Sequence, residues 1–164
     1  DKKDLSNNSK NEKKNLLKNN SNKLNNTTKE IEYFTTNKNG DIFKIFAEYG
    51  KTNIESTDIL DLEIVSGSIS SKERSEIFIK SDFAKYNYSN QNSKFYNRVK
   101  INYDNKEITC DNLELILKDN IAIAYGNVLV KDGKSIIKAN SITMDTVTKD
   151  IVINSENKVK VNTN

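Results

Sequence analysis

Carboxylates are the side chains in this sequence with the most direct chemical use. Asp58 and Asp61, and Glu73 and Glu76, are acids spaced three residues apart. Two converging carboxylates can hydrolyse a glycosidic bond or hold calcium. Here neither pair belongs to a partnering motif, and both sit in turn-rich sequence beside Ser and Lys, as solvated surface acids do. The 164 residues include no histidine, which removes the usual general base and the commonest metal ligand together. A single cysteine, Cys110, excludes an internal disulfide and any Cys-pair metal or redox motif, and it reads as a small buried filler. Gly126-Asn127 and Asp132-Gly133 are turn pairs and not phosphate cradles, since neither GxxxxGK nor GxGxxG occurs.

Tyr86, Tyr88, Tyr96 and Tyr103 cluster in one stretch, but a base-stacking platform needs a basic groove around it. The formal charge is +3, and residues 1–30 hold eight lysines against four acids, an excess of +4, which leaves the remainder at about −1. Nucleic acid is therefore excluded as a partner, and these tyrosines are expected to pack amphipathically at the mouth of an interior. Lys158 and Lys160 alternate with Val159 and Val161. A polar strand face explains them as well as contact with lipid phosphates does. Nothing in this inventory calls for catalysis, a metal or a cofactor.

The elements that would position these residues are strands. Through Lys106–Gly133 apolar residues alternate at Ile108 and Cys110, at Leu113, Leu115 and Leu117, at Ile121 and Ile123, and at Val128 and Val130. Period two is the mark of a strand with one buried face. The breaks fall at Asp111-Asn112, Asp119-Asn120 and Gly126-Asn127, which read as turns. The plan recurs. Ile142, Met144, Ile151 and Ile153 follow in Lys134–Asn164, Ile79, Val99 and Ile101 in Ser75–Asn105, and Ile45 and Val65 in Asp41–Arg74. Ala47, Ser81, Cys110 and Ala139 are 34, 29 and 29 residues apart, and valines at 65, 99, 128 and 159 follow them by 18, 18, 18 and 20. The spacing predicts four units of about thirty residues in an all-β domain of short antiparallel strands, four to seven residues long. Asn39-Gly40 marks a hairpin between Ile31–Phe34 and Ile42–Ala47. Four one-sided units must face one another across an apolar interior, as a sandwich or a curled, open β-jelly roll. Residues 1–30, rich in Asn, Lys and Ser, read as a disordered polar linker before a domain at 31–164.

Ile79-Lys80-Ser81-Asp82-Phe83-Ala84-Lys85-Tyr86, Gly126-Asn127-Val128 and Ile137-Lys138-Ala139-Asn140-Ser141-Ile142, in this ordered spacing, resemble the OstA-type family. These are the lipopolysaccharide-export proteins of Gram-negative bacteria. The phrase Gly40-Asp41-Ile42-Phe43-Lys44-Ile45 and the polar leader are most similar to the membrane-anchored LptC branch, with the soluble LptA branch as the alternative. The resemblance implies a periplasmic protein, anchored to the inner membrane in full length, with the anchor removed from a chain that begins at Asp1. It implies that lipid A acyl chains lie in the interior, against Ile79, Val99, Ile101, Leu113, Leu115, Leu117, Ile121, Ile123, Val128, Val130, Ile142, Met144, Ile151 and Ile153. It implies partner edges at Ile42, Phe43 and Ile45, facing the permease subunits of an inner-membrane ABC transporter, and at Val159, Lys160 and Val161, facing a soluble LptA-like jelly roll. The protein itself would hydrolyse nothing. Two other classes fit the bare alternation: a structural β-repeat with a closed, dry core, and a carbohydrate-active enzyme on a jelly roll.

Overall fold

The computed structural model describes residues 27–72, 74–155 and 160–163. Ten strands follow in order: β1 Thr27–Thr36, β2 Ile42–Thr52, β3 Ile59–Ser71, β4 Arg74–Asn87, β5 Asn92–Tyr103, β6 Lys106–Ile116, β7 Ile121–Asp132, β8 Ser135–Asp145, β9 Ile151–Asn154 and β10 Lys160–Thr163. They form one antiparallel sheet in which each strand pairs with the next, from β1 to β8, and β9 and β10 both pair along the outer side of β8. The sheet does not close on itself; β1 and the β9–β10 pair are its two ends. The fold is an open, all-β jelly roll.

Strands β2 to β8 run 11 to 14 residues and are not the short strands expected. The reason lies at the supposed turns. Asp111-Asn112 and Gly126-Asn127 are register shifts inside β6 and β7, and only Asp119-Asn120 reverses the chain. Similar shifts lie between Lys80 and Phe83 and between Tyr96 and Val99. Glu30, Ile64, Asn97, Arg98, Gly126 and Asn127 have positive φ, so β1, β3, β5 and β7 each carry left-handed residues at this level. Bulges bend strands. Aligned across the sheet, they make a crease.

The inner side of the crease is lined by small and β-branched residues. Ala47 pairs with Val65, Val65 with Ser81, Val99 with Cys110, and Val128 with Ala139. A bend brings backbones together, so bulky side chains do not fit there. On the outer side polar contacts fix the angle. Arg98 donates to both carboxylate oxygens of Asp82 at 2.7 and 2.8 Å, and Asn127 Nδ2 donates to Asp111 Oδ2 at 2.7 Å. Gly126 has φ +79°, and a Cβ there would meet Asp111 at 2.9 Å. Folded along this crease, the sheet faces itself like a closed book. Ring contacts span the halves: Phe95 lies over Gly67, and Tyr33 meets Tyr86 with centroids 4.6 Å apart.

β1 begins at Thr27, so its first four residues belong to the stretch expected as linker. The rest of that linker lies outside the described residues.

Candidate functional site

Alternation is kept on each side of the crease and reset across it, and this decides which side chains face inward. Ile79, Val99, Ile101, Leu113, Leu115, Leu117, Val128, Val130, Ile142 and Met144 are all buried in one apolar cluster. Ile121 and Ile123, expected among them, point outward. Leu113 pairs with Ala124 and Leu115 with Ala122, and these alanines are the buried members of β7. The stretch Ile121-Ala122-Ile123-Ala124 is apolar in both parities, and the register puts its alanines on the inner row. Ile151 packs half-buried on the cluster beside Met144; Ile153 is opposite Ile142 on the inner parity but is 36% exposed.

One inner row crosses the whole sheet. Gly50, Leu62, Ala84, Phe95, Leu113, Ala124, Ile142 and Ile153 are successive cross-strand partners from β2 to β9. It runs from full burial in the middle to the exposed Ile153 at the open edge.

Between Ile69, Ile79, Ile101, Leu115, Ile142 and Met144 there is room for about one water, about 10 Å³. The side chains that the resemblance assigns to lipid pack against one another in this structure. The side opposite the crease is held by loop contacts. Asn37, in the β1–β2 turn, donates from Nδ2 to Asn120 Oδ1 at 3.0 Å and to Asp41 Oδ2 at 3.1 Å. The Thr146 N–H donates to the Asn120 carbonyl at 2.9 Å, which continues the β7–β8 pairing within one half. Lys149, in the β8–β9 turn, donates to the Ser75 carbonyl at the start of β4.

The partner edges need revision at one end. Ile42, Phe43 and Ile45 lie on β2, which is paired on both sides, and Phe43 and Ile45 are 1% exposed. The free edge there is β1. Lys160 and Val161 fall on β10, at the other end of the sheet, while Val159 and Lys158 lie outside the described residues. The tyrosines divide. Tyr86 is fully buried with its hydroxyl 3.3 Å from Thr35 Oγ1, Tyr103 is buried, and Tyr88 and Tyr96 are half-exposed. Sequence reasoning missed Phe43, Tyr86 and Phe95 as interior residues; Phe43 sits beside Ile42 in a stretch apolar in both parities, while Tyr86 lies between Lys85 and Asn87.

Among the carboxylates, Asp61 accepts from Asn53 and Lys85, and Glu76 from Ser70; Glu73 lies outside the described residues. Among the described residues no three metal-ligating side chains come together, and no helix is long and apolar enough to cross a membrane. Burial, reinforced by nearby Asp111, pushes the Cys110 thiol up to about 12, which makes it inert.

Residues 4–162 match the model of the lipopolysaccharide-assembly, LptC-related family, and the chain belongs to that family. The fold is similar to a crystal structure of LptH, the LptA-homologous periplasmic component of the lipopolysaccharide transport device of Pseudomonas aeruginosa. The TM-score is 0.54 at 5% identity, over 74% of this chain and 94% of that one. No curated protein matches by sequence. The protein is a non-enzymatic periplasmic component of lipopolysaccharide transport.

Proposed function

We propose that the protein carries lipopolysaccharide by admitting its acyl chains between the two halves of the folded sheet while the sugars stay in water. It receives the lipid from the permease subunits of an inner-membrane ABC transporter, to which β1 is turned. It passes the lipid to a soluble jelly roll that joins at β9–β10. The full-length protein is anchored in the inner membrane, as the LptC branch is.

The observation that carries this reading is the apolar row that ends at Ile153. A dry structural core would be sealed at its last strand, whereas here, among the described residues, the inner row ends at Ile153, 36% exposed beside Ile142. A second apolar strand row added at that edge would continue the path. Free edge strands offer backbone donors and acceptors for such addition. Apolar contacts are non-directional, so a chain held by them can slide.

A photo-reactive residue at Leu115 should capture lipopolysaccharide during transport, and one at its outward neighbour Glu114 should not. Equal capture at both would remove the lipid from the interior.

A further inference from the structure

The outer face carries a hollow that the transport of acyl chains does not use. It lies over β2 to β5, is about 450 Å³, and is lined by Tyr49, Lys51, Asp61, Glu63, Phe83 and Tyr96 among others. Its aromatic wall is built by register. Phe83 and Tyr96 are direct cross-strand partners, stacked with centroids 5.5 Å apart and planes 25° apart, and both are half-exposed. Its polar wall is fixed as well. Asn53 Nδ2 donates to both oxygens of Asp61 at 3.2 and 3.0 Å, and Lys85 Nζ donates to Asp61 at 2.7 Å.

Each feature narrows the ligand. Lys51 and Lys85 balance Asp61 and Glu63, so the hollow has no net charge and does not select a phosphate or a polyanion. An apolar ligand would leave the fixed carboxylate and ammonium groups facing carbon. A pyranose ring suits both walls. Its C–H face packs on an aromatic ring, whose face is electron-rich, and its hydroxyls reach donors and acceptors at the rim. The volume lies in the range of small-molecule sites. We propose that this hollow binds an uncharged pyranose sugar, with Phe83 and Tyr96 as the stacking surface and Asp61 and Lys85 as the hydroxyl partners.

Such a sugar can come from the saccharide part of the transported lipid or from a separate neutral glycan, and two probes distinguish them. Deacylated lipopolysaccharide and a neutral glucose oligomer are titrated separately, following the ring resonances of Phe83 and Tyr96. Either probe should shift these resonances. A response to the deacylated lipopolysaccharide alone assigns the sugar to the cargo. Phe83→Ala and Phe83→Leu should both weaken binding about tenfold, since leucine keeps bulk but lacks a π face. Phe78→Ala, an exposed ring elsewhere on the outer face, should leave affinity unchanged. The inference is overturned if neither saccharide moves the Phe83 and Tyr96 signals, or if Phe83→Leu binds like the parent. Photo-capture at Leu115 should persist in Phe83→Leu, so loss of the sugar site and loss of interior lipid binding are read separately.

Discussion

A packed interior that must admit lipid has to open, and the loop contacts opposite the crease are the place. The magnitudes favour it. An acyl chain of about ten methylenes contributes about 8 kcal/mol on leaving water, at about 0.8 kcal/mol each. The Asn37–Asn120 hydrogen bond and the Lys149–Ser75 contact cross between the halves and are worth about 1 kcal/mol apiece, or about 2 kcal/mol together. Inner side chains that part from one another meet acyl chain instead of water, so separating the halves forfeits little of their burial. Lipid entry can therefore pull the loops apart, and a covalent tie cannot be pulled apart. In an Asn37→Cys, Asn120→Cys double variant, a short thiol-to-thiol reagent should join the β1–β2 turn to the β6–β7 turn. Cys110 is 5% exposed and burial pushes its thiol up to about 12, so it should stay unmodified at pH 8. The assay is capture of lipopolysaccharide by a photo-reactive residue at Leu115. The tied protein should capture at least tenfold less than either single-cysteine variant treated alike, and a cleavable reagent should restore capture on reduction. Undiminished capture by the tied protein would refute opening at these loops.

Three further outcomes follow from the geometry. Leu113→Ala should cost about 2–5 kcal/mol in urea unfolding, while Ile123→Ala, on the outer face, should cost under about 1.5 kcal/mol; equal costs would return Ile123 to the core. Lys160→Pro removes a backbone N–H on β10 and should abolish binding of a soluble jelly-roll partner in a pull-down with the domain still folded, whereas Lys160→Ala should bind almost normally. Stability should also fall at alkaline pH. Burial first, with Asp132 and Asp104 adding, pushes the Tyr103 phenol from 10.0 to about 12, and Cys110 rises from 9.0 to about 12. Both groups stay protonated longer in the native state, so their contribution is complete below pH 9 and is lost as pH climbs toward 12, by up to about 1.4 kcal/mol per unit for each. A flat stability profile from pH 8 to 11 would contradict their burial.

Most of the interior was legible in the sequence, because one-sided alternation over Ile79, Leu113, Leu115 and Ile142 leaves a single parity to bury. Two features were not. Asp111-Asn112 and Gly126-Asn127 have turn chemistry, and such residues serve a bulge and a turn equally well; only cross-strand register separates them. In Ile121-Ala122-Ile123-Ala124 both parities are apolar, and only the register against Leu113 and Leu115 on the neighbouring strand separates them. The first edge was also misplaced. The hairpin of Ile31–Phe34 with Ile42–Ala47 was expected, but the edge was assigned to its second strand and not to β1, its outer one.

The central claim is that lipid travels inside the fold and not along its surface. Ile142 and Ile123 test it most directly, because both are apolar side chains of similar size, one buried at 1% exposure and one outward on the adjacent strand. With a photo-reactive residue at each position in turn, in actively transporting membranes, position 142 should capture lipopolysaccharide and position 123 should capture almost none. Capture at 123 equal to or above that at 142 would show that the lipid follows exposed apolar surface, and would contradict transport through the interior.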